Sequence, residues 1–132
     1  MRLFCYGTLQ FPDVLHAVTG DWFSAEPAVL DDYACYLVRG EVFPGIVARQ
    51  GAATTGVVYT GLGVVQLRKL DVFEGDFYVR RRVCVRSATG NPLQVWTYAV
   101  AARHCRRLTR DTWDREVFEM KYLQQFLRSR RG

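Results

Sequence analysis

One segment of this chain keeps a helical period inside a long run of strand-like patterns. Val64, Leu67, Leu70 and Phe73 recur every third residue, with Val65 and Val72 beside them, and Gly75 stops the run. That spacing predicts a helix of about three turns. On either side the patterns are of strand type. Residues 2–6 read as a strand ended by Gly7, and Phe11-Pro12-Asp13 opens a short helix with Val14, Leu15 and Val18 on its apolar face and Gly20 at its end. Residues 28–30 and 33–38 read as strands around Asp31-Asp32, 46–48 as a short strand after a turn at 40–45, and 54–60 as a strand after a turn at Gly51-Ala52-Ala53. Beyond the helix, 77–86 alternates: Phe77, Val79, Val83 and Val85 on one face, Tyr78, Arg80, Arg82 and Arg86 on the other. Gly90-Asn91-Pro92 returns the chain as a partner strand over 93–100. Residues 111–128 read as a final helix with Trp113, Val117, Met120, Leu123 and Leu127 in one stripe, widened by Phe118, Tyr122 and Phe126. Hairpin-like spacing of the middle strands points to a mostly antiparallel sheet, and many short strands favour its curling into a small barrel.

With 132 residues the chain is expected to form one domain over 1–132, with 128–132 a frayed basic tail. Hydrophobic residues at 49% and charged residues at 23% argue against disorder. No apolar run approaches the ~20 residues of a membrane span, and the N-terminus lacks the features of a signal peptide, so a cytoplasmic location without membrane partners is expected. The cysteines at 5, 35, 84 and 105 make no Cys-x-x-Cys pair, and His104-Cys105 is the only adjacent pair of soft ligands. Neither disulfides nor a zinc site is expected. The net charge is +5, almost all from arginine, concentrated at Arg80-Arg81-Arg82 with Arg86, from Arg103 to Arg110, and from Arg128 to Arg131. No recognised nucleic-acid module accompanies these clusters, so they read as a solvated surface rather than a nucleic-acid site.

Two elements carry chemistry. Tyr6-Gly7-Thr8-Leu9 stands between a strand and a helix, where a glycine turn lets successive backbone N–H groups converge on a carboxylate or an oxyanion. Glu74 falls at the last turn of the inserted helix, in Leu70-Asp71-Val72-Phe73-Glu74-Gly75. The negative pole of the helix and apolar neighbours both disfavour its ionised form, which suits a general acid/base. The same residue also reads as an exposed carboxylate beside a capping glycine. Tyr78 and Arg80 share a strand face just beyond it, lining a pocket or lying on the surface, and Phe43-Pro44-Gly45-Ile46 is an apolar turn suited to a pocket wall.

These motifs together resemble the gamma-glutamylcyclotransferase-like family, especially small members related to gamma-glutamylamine cyclotransferase and the plant avirulence-induced proteins. The resemblance rests on Phe4-Cys5-Tyr6-Gly7-Thr8-Leu9, Phe43-Pro44-Gly45-Ile46, Gly56-Val57-Val58-Tyr59, Leu70-Asp71-Val72-Phe73-Glu74-Gly75, Tyr78-Val79-Arg80 and Trp96-Thr97-Tyr98. It implies an α+β fold, a small mixed, mostly antiparallel β-barrel flanked by helices with a cavity at one end. It implies release of 5-oxoproline and a free amine from a small γ-glutamyl substrate, with Glu74 as the catalytic acid/base and no metal or cofactor. By the same resemblance Tyr6, Gly7, Thr8 and Leu9 bind substrate, and the hydroxyls of Thr8 and Tyr78 are secondary contacts. Cys5 reads as a core cysteine, since no histidine is placed to activate it. The alternative is a ligand-binding or interaction domain of the same fold without turnover. The final helix is not part of the family's catalytic motifs, and its role is left open, as are the leaving amine and the oligomeric state.

Overall fold

The computed structural model describes residues 1–131, with side chains as far as Ser129. In chain order the elements are β1 (Arg2–Cys5), a 3-10 turn (Thr8–Gln10), α1 (Pro12–Thr19), β2 (Ser24–Leu37), β3 (Pro44–Thr60), α2 (Val64–Glu74), a 3-10 turn (Gly75–Phe77), β4 (Tyr78–Ser87), β5 (Pro92–Val100), a 3-10 segment (Ala102–Arg107), α3 (Arg115–Lys121) and α4 (Leu123–Arg131). The five strands close into a barrel in the order β1-β3-β2-β4-β5. Every pairing is antiparallel except the seam, where Leu3 of β1 meets Trp96 of β5 in parallel. Thr97 pins that seam by donating its buried hydroxyl to the Phe4 carbonyl at 2.9 Å.

Period-two alternation separates two apolar layers. Phe4, Ile46, Val58, Val85, Val95 and Ala99, drawn from strands alone, pack inside the barrel. The intervening side chains Leu3, Cys5, Tyr59 and Tyr98 face outward and are covered by helical residues including Leu15, Leu67, Leu70, Phe118 and Leu127. The second layer lies between barrel wall and helices, and the candidate site lies where the two layers meet.

The architecture is the expected mixed barrel, but several elements are drawn differently. The signals at Asp31-Asp32 and Gly51-Ala52-Ala53 do not end strands. They fall at one level of a long β2–β3 hairpin, where the register jumps from Asp31↔Ala53 to Tyr33↔Ala48. Asp32 sits at φ 64, and its Oδ1 accepts the Gly51 N–H at 3.0 Å. Both chains therefore bulge together, and pairing resumes beyond.

The final helix is two helices. Asp114 caps α3, its carboxylate accepting the N–H groups of Glu116 and Val117. The backbone then breaks at Tyr122, which resets the buried face. Phe118, Leu123 and Leu127 are buried, while Val117 and Met120 of the expected stripe are exposed. The helical backbone continues through Arg131; Gly132, the end of the basic tail expected over 128–132, lies outside the described residues. No helix among the described residues is long and apolar enough to cross a membrane.

Five arginines of the first two clusters contact the protein itself. Arg86 pairs with Asp31 at 2.6 Å, Arg80 and Arg82 lie over the Trp96 ring, Arg107 lies over Phe77, and Arg103 reaches the Asp76 carbonyl at 3.0 Å.

Candidate active site

At the end of β1 the chain turns through Gly7 into the 3-10 turn Thr8–Gln10. A Cβ on Gly7 would lie 2.9 Å from Pro44 Cγ, so only glycine lets the loop rest against the start of β3. The loop is held from beneath: the Gln10 amide donates to the Tyr6 carbonyl at 2.6 Å, and the Tyr59 hydroxyl lies 2.9 and 2.8 Å from the carbonyls of Leu9 and Gln10. The N–H groups of Gln10 and Phe11 turn back onto the Gly7 and Thr8 carbonyls. Those of Gly7, Thr8 and Leu9 find no acceptor among the described residues. They are ready donors, as in the first turn of any helical segment.

Glu74 reaches the same place from α2. It stands four residues after Leu70 and seven after Leu67, on the face that buries both leucines. Gly75, at φ 71, ends the helix directly after it, a backbone conformation that favours glycine. Glu74 and the Tyr6–Leu9 loop line one cavity of about 260 Å³, whose other walls include Phe43, Pro44, Phe73, Tyr78, Tyr98 and Phe126. This is near the low end of small-molecule sites, ~300–1,000 Å³.

Among the described residues the Glu74 carboxylate has no hydrogen-bond donor and no ion-pair partner. Burial pushes its carboxyl from an ordinary 4.5 up to about 8. A group of that kind is poised to give or accept a proton near neutral pH.

The cavity tyrosines already have acceptors for their protons. Tyr78 donates to the Pro44 carbonyl at 2.6 Å, Tyr6 to the Tyr98 carbonyl, and Tyr98 to Asp71 Oδ1 at 2.6 Å. Burial first, and neighbouring acidic groups after it, hold all three phenols above their ordinary range. Their oxygens remain available as acceptors. Burial, then the Glu74 charge, likewise push the Cys5 thiol well up, which leaves it neutral and a poor nucleophile. Among the described residues no three His, Cys, Asp or Glu side chains converge as a metal site would require.

Glu74, Tyr6, Gly7, Thr8, Leu9 and Tyr78 therefore meet on one cavity, with the Phe43-Pro44 turn as part of its wall. Arg80 does not join them. Its guanidinium is committed to Asp71, at 2.9 and 3.2 Å, and stacked on Trp96 at 4.5 Å. Five lining residues, Phe4, Cys5, Phe73, Tyr98 and Phe126, were not named as site residues from the sequence. Tyr98 pairs with Arg80 in the β4–β5 register and so points to the helix-covered side, a placement that strand alternation could have supplied. Phe126 comes from α4; the sequence put it on the apolar face of the final helix, and nothing local tied that face to the cavity.

Comparison with known proteins bears on the family and the fold. Residues 3–115 match the family described as gamma-glutamyl cyclotransferase, AIG2-like. Protein AIG2 B of Arabidopsis thaliana is 31% identical over 126 residues, 95% of this chain and 74% of that protein. Protein AIG2 C of the same plant is 29% identical over 127 residues, 96% of this chain and 76% of that one. A solution structure from Arabidopsis thaliana superimposes with a TM-score of 0.76 at 28% identity, over 98% of this chain and 79% of that chain. The structure of a gamma-glutamyl cyclotransferase shares the fold, with a TM-score of 0.66 at 21% identity over 76% of this chain and 66% of that one. The matched span contains both the glycine loop and the α2 glutamate that the sequence motifs singled out, and the chain belongs to the gamma-glutamyl cyclotransferase, AIG2-like family.

Proposed function

We propose that this protein is a cyclotransferase that releases 5-oxoproline and a free amine from a small γ-glutamyl compound, with Glu74 as general acid/base. The observation that carries this reading is an unpaired carboxylate, raised to about 8, on the same small cavity as a loop with three free N–H groups. In the reaction the α-amine attacks the γ-carbonyl carbon of its own molecule. A carbon–nitrogen bond closes the five-membered lactam, and the amide bond to the departing amine breaks. Two protons leave the α-nitrogen in all and two reach the departing nitrogen, which goes as an ammonium ion. Ionised Glu74 takes a proton from the substrate ammonium and returns one to the leaving nitrogen. The N–H groups of Gly7, Thr8 and Leu9 hold the substrate's oxygens, and the Thr8 and Tyr78 oxygens accept from its ammonium. The folded conformer is held near attack geometry, which is where an intramolecular ring closure gains most. The neutral Cys5 thiol takes no part.

The test is 5-oxoproline release from a panel of γ-glutamyl amino acids, amines and peptides. We expect turnover of at least one class, with kcat/KM rising with pH toward a midpoint near the Glu74 value of about 8 as the base form accumulates. Binding of γ-glutamyl ligands with no release from any of them would instead mark a binding domain of this fold.

A further inference from the structure

We infer that Phe126 of α4 is a specificity-determining residue, selecting γ-glutamyl amides whose departing amine carries an apolar or aromatic substituent and no carboxylate. The inference rests on the function proposed above and assigns the half of the substrate that the reacting atoms do not fix. If Glu74 protonates the departing nitrogen, the substituent on that nitrogen occupies the part of the cavity left by the γ-glutamyl group. Phe73, next to Glu74 on α2, and Phe126 line that cavity together, and they pack edge-on with ring centroids 6.2 Å apart. Phe126 is itself fixed by Phe118, 5.9 Å away, and by the burial of Leu123 and Leu127 on either side of it.

The charge of the cavity points the same way. Among the described residues Glu74 is the one charged side chain on its lining, with no Lys, Arg or His there. Arg80, two residues beyond Tyr78 on β4, is held by Asp71, and Arg107, whose charge reaches Tyr78, lies over the Phe77 ring. A carboxylate on the departing amine would be buried beside an ionisable glutamate with nothing to pair it, which is costly. A hydrocarbon or ring there fills an apolar wall instead. Phe126 also lies beyond residue 115, where the family match ends. The wall that meets the departing amine is thus partly supplied from outside the matched region.

The experiment compares γ-glutamylbenzylamide with γ-glutamylglycine in the wild type and in Phe126→Ala, Phe126→Leu and Phe126→Arg, each checked for folding by thermal melting. The wild type should favour the benzylamide by about tenfold or more in kcat/KM, carried mainly by KM. Phe126→Ala should bring the two substrates toward parity by raising the benzylamide KM, with kcat little changed. Phe126→Leu should keep most of the preference, and Phe126→Arg should shift it toward γ-glutamylglycine. A wild type that favours γ-glutamylglycine, or an unchanged ratio in folded Phe126→Ala, overturns the inference and leaves the cyclotransferase reading standing. If neither compound yields 5-oxoproline, the wider panel above decides the turnover reading. Calorimetric binding of N-benzylglutaramate against glutarylglycine, which lack the α-amine and cannot cyclise, then decides the specificity. A benzyl preference lost in Phe126→Ala upholds the inference; equal binding, or none, overturns it.

Discussion

Two carboxylates stand three residues apart on α2, and the protein treats them in opposite ways. Asp71 is satisfied on every side: the Arg80 guanidinium meets both its oxygens, and the Tyr98 hydroxyl donates to one of them. It ties α2 to β4 and β5 at a partly exposed edge. Glu74 faces the cavity with neither donor nor counter-charge among the described residues, and burial alone raises it to about 8. A structural carboxylate is surrounded by donors, because an unpaired buried one costs stability. A carboxylate left unpaired in an apolar cavity gives up that stability and keeps its proton available near neutral pH. The residues around each group set the difference, since helix, sheet and neighbouring sequence are shared.

Exchanging each carboxylate for its amide separates the two roles. Glu74→Gln should lower 5-oxoproline release by ~10²–10⁴-fold, the usual worth of general acid/base catalysis, with ligand binding retained and the melting temperature at neutral pH unchanged or higher. Asp71→Asn should do the reverse. It removes a hydrogen-bonded ion pair whose side chains are 27% and 39% exposed, so a loss of about 1 kcal/mol is expected in denaturant unfolding. Turnover per folded molecule should fall only several-fold, through looser placement of α2. If the two variants gave the same pattern, the comparison would collapse.

A smaller effect lies in the pH dependence of stability. The folded carboxyl of Glu74 titrates near 8 against an ordinary 4.5. Between those values the folded state binds more proton than the unfolded one. The stability from this group is full below about 4.5 and is lost as pH rises through 8. Melting temperatures across this window should show Glu74→Gln gaining on the wild type as pH rises and levelling off above 8, while Asp71→Asn, which still carries Glu74, keeps the wild-type slope.

The sequence carried the motifs and the barrel further than it carried the packing faces. On α2 the every-third pattern joined Val64 to Phe73, yet each step of three falls about 60° short of a full turn, so the ends of that row lie on opposite sides. Val64, Val65 and Val72 are in fact exposed, and Leu67 and Leu70 are buried. Counting four and seven residues on from those leucines puts Asp71 and Glu74 on the covered face, a signal present in the sequence that favours the cavity over an exposed carboxylate. Other features had no local signature. The Asp31-Asp32 and Gly51 signals mark real irregularities, but whether a turn signal ends a strand or makes a bulge depends on the partner chain, and here both chains bulge at one level. The break at Tyr122 resets the phase of the last helices: Phe118, Leu123, Phe126 and Leu127 keep the apolar face on which the sequence put them, while Val117 and Met120 turn outward. The contact of Phe126 with Phe73 joins residues distant in sequence and had no local signature.

The fold leaves Glu74 without a donor or counter-charge among the described residues of an apolar cavity, so that its carboxyl titrates near neutral pH. A carboxyl-carbon NMR titration of glutamate-labelled protein, with the Glu74 signal assigned by its loss in Glu74→Gln, measures this directly. The account predicts a midpoint near 8 for that signal in protein that stays folded across the range. A midpoint near the ordinary 4.5 in the folded protein would contradict it.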